Sequence, residues 1–494
     1  MATIPASLGL RVPRNVLVLG CGSVSRCLQP LLLHHLDMDF SGLTVVDIED
    51  LRPAVPATLQ AGARFERLQL TPGNLDRELT RLTGPSDLLI NLTTDIDTCE
   101  IVSWCHDHGL LYVDASVEVW DPYEGRDTMD PPARTLYARH MRLGALTASW
   151  NGRGPTAVLD HGANPGLVSH WVRVALADVA TAILKARRRL QLDWARERRL
   201  ENLLAAADFP GLARETGTKV IHISEEDTQI SSRPKLPGEF VNTWSVDGFL
   251  EEGMAPAELG WGTHERKRPQ DAWGHQTGPR NQICLTRTGV GTLVRSWVPT
   301  TGPIEGYLVR HGEAFTISRY LTVHEDGEAV YRPTVHYAYL PAPAAVRSWM
   351  ECRLQDYRPQ HHQRIMTDDI VTGMDELGVL LLGHDLNGWW TGSQLTIQET
   401  RQLVGMGQNA TTLQVAASIL GAIAWILDHP GEGLCTPEDL DHEQVLRVAG
   451  PYLGQQPSLQ TDWTPEVSDP LARFRPDSQR GAQDAWQFAS FLVN

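Results

Sequence analysis

Short apolar runs alternate with amphipathic segments over the first 150 residues of the chain. Alternation of buried strands with helices is typical of a parallel, doubly wound sheet of the Rossmann type. The pattern predicts strands at Val16–Leu19, Leu43–Asp47, Arg64–Leu70, Asp87–Leu92 and Leu111–Asp114, and helices at Arg26–Leu36, Leu75–Leu82 and Asp97–His108.

The pattern changes after Trp150. Glycines and prolines cluster between Gly152 and Gly166, which indicates a crossing between domains with a tight turn. A helix is predicted at Leu167–Ala180, continuing into or followed by the basic stretch Lys185–Leu200. Many short β-like runs then predict a mixed sheet in a second, α+β domain. These runs are Lys219–Ile223, Phe240–Trp244, Gln282–Thr286, Thr292–Trp297, Ile304–Val309 and Thr334–Tyr339.

From about Gly373 the pattern favours helices. Thr411–Leu427 predicts a long apolar helix, and Glu438–Gly450 predicts a shorter one. The fold class is therefore α/β, with three predicted regions. They are a doubly wound domain at residues 1–150, a mixed-sheet domain at 151–372 that forms a substrate site, and a helical C-terminal region at 373–494 that packs on both.

Composition narrows the class of protein. The chain has 494 residues and a formal net charge of −17, which argues against a nucleic-acid or anionic-membrane partner. No uninterrupted apolar run reaches the roughly 18 residues that cross a bilayer, and the N-terminus lacks a signal-peptide pattern. Seven cysteines without a dense framework indicate a reducing compartment, and no metal-ligand spacing is present. We expect a cytoplasmic protein without a bound metal.

A glycine turn follows the first predicted strand. Gly20 and Gly22 take the first two positions of a G-x-G-x-x-small pattern, Ser23 and Val24 follow, and Ser25 replaces the third glycine. In this pattern backbone N–H groups and a helix N-terminus hold a pyrophosphate. Asp47 ends the second strand, where a carboxylate binds ribose hydroxyls and repels a 2′-phosphate. The sequence therefore predicts NAD rather than NADP as cofactor.

Two further strand ends lie at the edge of the sheet where doubly wound folds bind ligands. Asn91 and Thr93 follow the fourth strand, and Asp114 and Ala115 follow the fifth. We predict that these four residues line the nicotinamide pocket. The alternative is that they are plain helix caps.

Acidic residues surround one tryptophan, Trp244, between Glu225 and Glu252. An indole ring is the best side chain for cation–π attraction, which reaches about 2 kcal/mol or more when desolvated. Carboxylates hold the ammonium groups of a diamine, and a ring face between them stabilises an iminium. Beside a dinucleotide site, this segment predicts redox chemistry on a cationic substrate.

Several segments are longer and more specific than generic elements. Together they resemble bacterial homospermidine synthases, a family of the saccharopine dehydrogenase-like group, over nearly the whole chain. The departures are Ser25 and a divergent tail beyond Gln455. The segments are Val113–Glu118, Asp160–Gly166, Ile223–Gln229, Asn242–Phe249, Glu258–Glu265, Val309–Glu313, His336–Tyr339 and Gly373–Gly378.

The resemblance implies that NAD⁺ is a recycled cofactor and that the enzyme is a homodimer. It implies that putrescine, or the aminobutyl part of spermidine, is oxidised to an imine. A second putrescine condenses with the imine, and the Schiff base is reduced to homospermidine, with ammonia or diaminopropane as the second product.

Site residues follow from the same resemblance. It implies that Trp244 stacks on the cationic carbon–nitrogen unit, that Glu225 and Glu252 bind ammonium groups, and that Glu118, Asn164 and Asp375 complete the site. We place His311 near the reacting amine as a proton relay, because the usual histidine pKa lies close to working pH. Hydride loss requires an uncharged amine, and the sequence leaves open whether His311, a carboxylate or water accepts the proton.

Two alternatives remain at this point. Saccharopine-type and carboxynorspermidine-type enzymes reduce imines that bear a carboxylate, which requires an arginine fork in the pocket. Arg310 is the one arginine inside these motifs, and in a strand it would point away from His311. The second alternative is a non-catalytic polyamine or nucleotide sensor, which needs affinity but no proton relay.

Overall fold

The computed structural model describes residues 4–150, 154–466 and 485–493. Residue 151, where the second region is predicted to begin, lies outside the described residues. The N-terminal elements are β1 (Val16–Leu19), α1 (Ser23–His35), β2 (Leu43–Asp47), α2 (Pro56–Gln60), β3 (Arg64–Arg67), α3 (Leu75–Leu82), β4 (Leu88–Asn91), α4 (Thr98–His108), β5 (Leu111–Asp114), α5 (Leu136–Thr147) and β6 (Ala157–Val158).

The following elements complete the described chain. The helices are α6 (Leu167–Lys185), α7 (Trp194–Ala205), α8 (Phe209–Thr216), α9 (Val246–Met254), α10 (Glu313–Tyr320), α11 (Pro343–Leu354), α12 (Ile397–Val404), α13 (Ala410–Asp428), α14 (His442–Ala449) and α15 (Phe488–Phe491). The strands are β7 (Val220–Asp227), β8 (Ile230–Ser231), β9 (Glu239–Asn242), β10 (Pro256–Gly260), β11 (Ala272–Gly274), β12 (Gln282–Thr288), β13 (Leu293–Val298), β14 (Gly302–Tyr307), β15 (Val323–Glu325), β16 (Glu328–Tyr331), β17 (Thr334–Leu340), β18 (His362–Ile365), β19 (Ile370–Thr372), β20 (Met374–His384), β21 (Asn387–Thr396), β22 (Leu434–Cys435) and β23 (Ser458–Thr461).

The first sheet is parallel throughout, with the strand order β22-β6-β5-β4-β1-β2-β3. Strands β1, β4 and β5 are buried along their whole length, as expected when helices cover both faces of a sheet. The strand order reverses between β1 and β4. Ligands of doubly wound folds bind at this switch point, outside the carboxyl ends of the strands. The predicted doubly wound sheet is confirmed.

The second sheet is mixed, as predicted. Its main path runs β11-β12-β10-β17-β7-β20-β21-β23, and β14 joins the hairpin with β13 to β17. Strands β7 and β17 are parallel and place Tyr339 beside Glu225. Strand β20 is antiparallel to β7 and places Asp375 beside Asp227. Pairing in the centre of this sheet therefore brings acidic and aromatic residues together.

The segment after Gly373 differs from the helical prediction. Strands β20 and β21 form a long hairpin in the mixed sheet, and helices resume only at Ile397. Both strands carry continuous apolar runs, and periodicity alone cannot distinguish a fully buried strand from a buried helix. Strand β22 also pairs with β6 and extends the first sheet. The region boundaries stay predictions, but strand pairing crosses them.

Two described helices, α6 and α13, are long and apolar enough to cross a membrane by length and composition. Neither helix is an uninterrupted apolar run in the sequence, because small and polar residues interrupt both helices. In this structure they are core helices, since 67% and 89% of their most apolar windows are buried. Helix α13 contacts α1, α14 and strands of both sheets. It is thus a shared wall of the two sheet domains.

Candidate active site

The glycine turn after β1 forms the floor of a cleft. Gly20 has a φ of +88°, and a Cβ on it would lie 2.7 Å from the Leu92 carbonyl oxygen, so only glycine fits. A Cβ on Gly22 would meet nothing within 4 Å. Gly22 precedes α1 without any side-chain cap, which leaves the first-turn N–H groups of α1 available to an anion. This open cradle fits the pyrophosphate of a dinucleotide.

Asp47 lies at the opposite wall of this cofactor cleft. Its Oδ2 accepts a hydrogen bond from the Cys21 backbone N–H at 2.6 Å, and its Oδ1 accepts one from the Glu49 N–H at 2.9 Å. No arginine or lysine is among the described residues that line the cleft. The cleft therefore fits a ribose diol better than a 2′-phosphate. Among the predicted cofactor residues, it is lined by Gly20, Gly22, Ser23, Val24, Asp47 and Thr93.

A second pocket, here called the carboxylate cavity, adjoins the cofactor cleft and shares Val24 and Thr93 with it. It lies at the carboxyl ends of β4 and β5 and is closed by residues of the mixed-sheet domain. No arginine or lysine is among the described residues that line it. The predicted residues that line it are Asn91, Thr93, Ala115, Glu118, Asn164, Glu225, Trp244, Glu252 and His311.

Glu225 is a buried side chain of this cavity. Its Oε2 accepts hydrogen bonds from the Asn164 amide at 3.2 Å and from the Tyr337 hydroxyl. Burial raises the pKa of Glu225 to about 7, although the Tyr337 hydrogen bond favours the ionised form. Asn164 is held by a tight turn, in which a Cβ on Gly166 would lie 1.8 Å from the Gly162 oxygen. Glu225 can therefore exchange a proton near neutral pH.

Two more carboxyl groups lie behind Glu225. Burial raises the pKa of Asp227 to about 6, although Thr243 and Gln229 donate hydrogen bonds to its oxygens. Burial, with the nearby charges of Glu225 and Asp227, raises the pKa of Asp375 well above its usual value. Within the described chain none of the three makes an ion pair. We call Glu225, Asp227 and Asp375, with Tyr337 and Tyr339, the acid cluster.

Trp244 forms part of the cavity wall beside this cluster. Its indole N–H donates to the Tyr339 hydroxyl at 3.0 Å, and its ring centroid lies 5.1 Å from that of Phe249. Tyr339 is fully buried and lies 5.3 Å from Tyr337 in a stacked pair. The indole is thus held at its edge and against a neighbouring ring, and Trp244 stays half-exposed to the cavity.

The opposite part of the cavity is rich in ion pairs. Arg139 lies 3.4 Å from a Glu118 oxygen and 2.6 Å from a Glu251 oxygen, and Arg310 also pairs with Glu251. Burial raises the pKa of Glu118, although Arg139 favours its charged form. Ser116 donates to the other Glu118 oxygen at 2.7 Å. These salt bridges fix the Glu118 carboxylate at the cavity edge.

His311 lies between two carboxylates. Its Nε2 is 3.0 Å from Glu252 Oε2, and its Nδ1 is 3.4 Å from Glu313 Oε1. Burial alone would lower the pKa of His311, but Glu313 and Glu252 outweigh it and hold the pKa well above its usual value. We call Glu118, Arg139, Glu251, Arg310, Glu252, His311 and Glu313 the ion-paired cluster. Its histidine is a cation at neutral pH.

Comparisons with known proteins agree with this geometry. Residues 16–158 match the model of the saccharopine dehydrogenase NADP binding domain, and residues 162–456 match that of the saccharopine dehydrogenase C-terminal domain. The chain is 40% identical over 490 residues to a homospermidine synthase of Blastochloris viridis, covering 98% of each chain. It is 38% identical over 487 residues to a homospermidine synthase of Mesorhizobium japonicum, covering 97% of this chain and 96% of the relative.

The chain belongs to the homospermidine synthase family. The crystal structure of a homospermidine synthase from Legionella pneumophila in complex with NAD superposes with a TM-score of 0.84 at 37% identity, covering 99% of each chain. The domain model carries NADP in its description, whereas this relative was crystallised with NAD. Asp47 and the absence of a basic residue among the described lining of the cleft favour the second cofactor in this chain.

The structure does not bring every predicted site residue of this family member to the cavity. Asp114 is buried, accepts from Tyr112 at 2.9 Å and from the Asp160 backbone at 2.7 Å, and lines neither pocket. Asp375 lies behind Glu225 and also does not line the cavity. Asn91 is at the wall, but its amide donates to Tyr112 at 3.1 Å. Asp114 and Asn91 thus brace the strand ends in this structure.

Asp227 was not predicted as a site residue. Asp227 is 2% exposed and ends β7, and a period of two puts it on the same face as Glu225. Tyr337 and Tyr339 show the same spacing on β17, inside a motif that was recognised without assigning them. Glu313 ends the Val309–Glu313 motif but received no role, because it begins helix α10 and has no strand partner. For Asp227, Tyr337 and Tyr339, strand register would have pointed to the residue.

Arg310 was predicted to point away from His311 on the assumption that its segment is a strand. The structure places Arg310 outside a strand. It nevertheless lines a neighbouring pocket and not the carboxylate cavity of His311. Its side chain donates to the Arg134 carbonyl at 2.7 Å. In the described chain, no group of three or more His, Cys, Asp or Glu side chains is arranged to hold a metal ion.

Proposed function

We propose that this protein is a homospermidine synthase that joins two diamines through an imine, with NAD as a recycled hydride carrier. One observation carries the proposal. A cavity with three carboxylates around one indole, and with no arginine or lysine among its described lining residues, opens directly onto the dinucleotide cleft. Its volume of about 160 Å³ suits a small alkyl diamine.

Binding of a diamine follows from charge. An unpaired buried carboxylate is costly, and the acid cluster has no cation of its own. An ammonium group of putrescine supplies that charge beside Glu225, and Asn164 orients the carboxylate. Glu118 and Glu252 receive the other ammonium group. The face of Trp244 stabilises the positive carbon–nitrogen unit that forms between them.

Proton transfer follows from the raised pKa of Glu225. Hydride loss requires an uncharged amine, whose pKa resembles that of lysine at about 10.4. Glu225 has a pKa of about 7 and is the cavity group that titrates near neutral pH, so we assign it the proton of the donor amine. Protonated His311, through Glu252, gives a proton to the nitrogen that leaves as ammonia. This assignment keeps His311 as the predicted proton relay and gives the role of base, which the sequence left open, to Glu225.

NAD held at the glycine turn supplies the hydride acceptor and returns the hydride to the second imine. We propose that Gly20, Gly22, Ser23, Val24 and Asp47 bind its pyrophosphate and ribose, and that Thr93 and Ala115 contact the nicotinamide end. We also propose a cytoplasmic homodimer with putrescine or spermidine as aminobutyl donor. The seven free cysteines are consistent with a reducing compartment.

The alternatives have less support. A saccharopine-type or carboxynorspermidine-type substrate needs a guanidinium for its carboxylate, and the one motif arginine lines another pocket. A sensor would not need a hydrogen-bonded base such as Glu225 or an acid such as His311.

One experiment separates the three functions. Purified protein is incubated with NAD⁺ and putrescine, and the products are measured by mass spectrometry. We expect homospermidine and one ammonia per product, without net accumulation of NADH. Turnover only of an amino acid with an oxo acid would favour the imine reductase. Tight diamine binding without product would favour the sensor.

A further inference from the structure

Glu313 is a buried carboxylate beside His311. It is 0% exposed, it does not line the cavity, and neither oxygen has a hydrogen-bond donor of good geometry in the described chain. Asp375 shares these properties, but Glu313 differs from it in lying within ion-pair distance of an imidazole, with Oε1 3.4 Å from His311 Nδ1. Glu252, on the other side of His311, is 21% exposed at its side chain and lines the cavity. The imidazole therefore has a hidden carboxylate behind it and a substrate-facing carboxylate in front.

We propose that Glu313 is a positioning residue that keeps one proton on His311 Nδ1, so that Nε2 is the nitrogen that exchanges its proton with Glu252. The catalytic role of Glu313 rests on the proposed function, whereas its effect on the protonation of His311 does not. A neutral imidazole donates from one nitrogen only. A buried carboxylate at Nδ1 keeps the proton on that nitrogen in both charge states, as the carboxylate of a hydrolytic triad does.

The consequence concerns the step in which ammonia leaves. The carbon–nitrogen bond of the condensed diamine breaks, its electron pair stays on the leaving nitrogen, and the lone pair of the other nitrogen forms the new imine. The leaving nitrogen takes a proton from Glu252, which is resupplied from His311 Nε2. His311 is then neutral, with its remaining proton on Nδ1 toward Glu313. It regains a proton when the next substrate ammonium is deprotonated.

Several other titratable groups face His311 and set its environment. Glu225 on β7 and Glu258 on β10 interact with its charge, and the Tyr337 ring on β17 lies 4.4 Å from the imidazole. Arg310 precedes it in the chain, and Asp160 lies against the following Gly312. Among the described residues, the ion pair of Nδ1 is with Glu313, so the effect of Glu313 is separable from theirs.

The test compares Glu313→Gln and Glu313→Asp with wild type, and uses Glu305→Gln on the exposed face of β14 as control. The imidazole of His311 is followed by NMR of ¹⁵N-histidine-labelled protein, assigned with His311→Asn. The pH dependence of kcat is measured in parallel. Thermal unfolding checks that each variant is folded. If Glu313→Gln does not fold, Glu313→Asp alone decides, because it keeps the charge at a longer distance.

We expect His311 of the wild type to stay doubly protonated to a higher pH than an ordinary histidine. In Glu313→Gln its pKa should fall by roughly one to two units, the alkaline limb of kcat should shift by the same amount, and kcat at pH 8.5 should drop about 10–100-fold. KM for putrescine should change less than about threefold, and Glu313→Asp should restore part of both shifts. Unchanged titration of His311 in Glu313→Gln would overturn the proposal. A wild type that makes no homospermidine would defeat the proposed function, while the NMR titration would still decide the role of Glu313.

Discussion

Glu118, Glu225 and Glu252 line one substrate-sized cavity, yet the acid cluster and the ion-paired cluster to which they belong have opposite electrostatic surroundings. In the ion-paired cluster, Glu118 and Glu252 have Arg139 and His311 as counter-charges. In the acid cluster, no cation of the described chain pairs with Glu225. Burial raises the pKa of Glu225 to about 7, and the Tyr337 hydrogen bond and the nearby charge of His311 offset that effect only in part. The ion-paired cluster has its counter-charges without substrate, whereas the acid cluster gains a counter-charge when the diamine binds.

The difference assigns distinct tasks to similar side chains. Carboxylates that already carry a counter-charge gain little from a further ammonium, so they orient the diamine. Carboxylates without a counter-charge change protonation when the diamine arrives, so they exchange protons. Substitution of Glu225 should therefore have a large catalytic effect, and substitution of Glu118 a small effect on binding.

The largest effect is expected for Glu225→Gln. Loss of a general base typically costs about 10²–10⁴-fold in rate, and kcat should fall in that range at pH 7.5. Glu226→Gln is the matched control, because the neighbouring side chain lies on the other face of β7 and contacts Thr301. Steady-state kinetics of homospermidine formation measure both. An equal loss of kcat in Glu225→Gln and Glu226→Gln would contradict the distinct catalytic task of Glu225.

Trp244→Leu should lower kcat/KM by roughly 30-fold, since about 2 kcal/mol of cation–π attraction is lost. Trp244→Phe keeps an aromatic face but loses the hydrogen bond to Tyr339. Its kcat/KM should lie between those of wild type and Trp244→Leu. Trp194→Leu, at a side chain that is 75% exposed, is the control and should be neutral. Full activity of the leucine variant would remove the indole from the mechanism.

Glu118→Gln tests the ion-paired cluster. Arg139 keeps Glu251 as partner at 2.6 Å, so the substitution leaves no unpaired arginine. KM for putrescine should rise about fivefold or less, with kcat nearly constant. Glu124→Gln, on the exposed surface, serves as control. A loss of kcat as large as that of Glu225→Gln would show that the two clusters do not differ.

Asp375→Asn gives the smallest effect, on stability. The pKa of Asp375 is raised, so its stabilising contribution is present below its usual pKa near 4 and is lost as pH rises through the raised value. The melting temperature of the variant relative to wild type should therefore increase by roughly 2–4 °C between pH 5 and pH 8. Asp50→Asn, where Arg52 lowers the pKa to about 2, should show no change over this range. If the difference in melting temperature between Asp375→Asn and wild type does not change with pH, Asp375 does not carry an uncompensated buried charge.

The cofactor half of the molecule was more predictable than the substrate half, for a physical reason. Gly20, Gly22 and Asp47 act through backbone geometry within one βαβ unit, so local pattern determines them. The acid cluster depends on the register of three strands from distant segments, so Asp227, Tyr337 and Tyr339 stayed unassigned. The site residues Glu225, Trp244, Glu252 and His311 came from a family resemblance, and the structure brings them together. The hairpin of β20 and β21 was missed because its apolar run carries no period.

The proposed mechanism requires a hydride that never leaves the active site. One labelling experiment tests this requirement directly. Putrescine deuterated at both positions of each aminomethyl carbon is converted with unlabelled NAD⁺ in the presence of unlabelled NADH, and homospermidine is analysed by mass spectrometry. A hydride that is taken and returned in the same site gives a product that retains every deuterium. A product that has lost one deuterium to solvent or to unlabelled NADH would contradict the recycled cofactor.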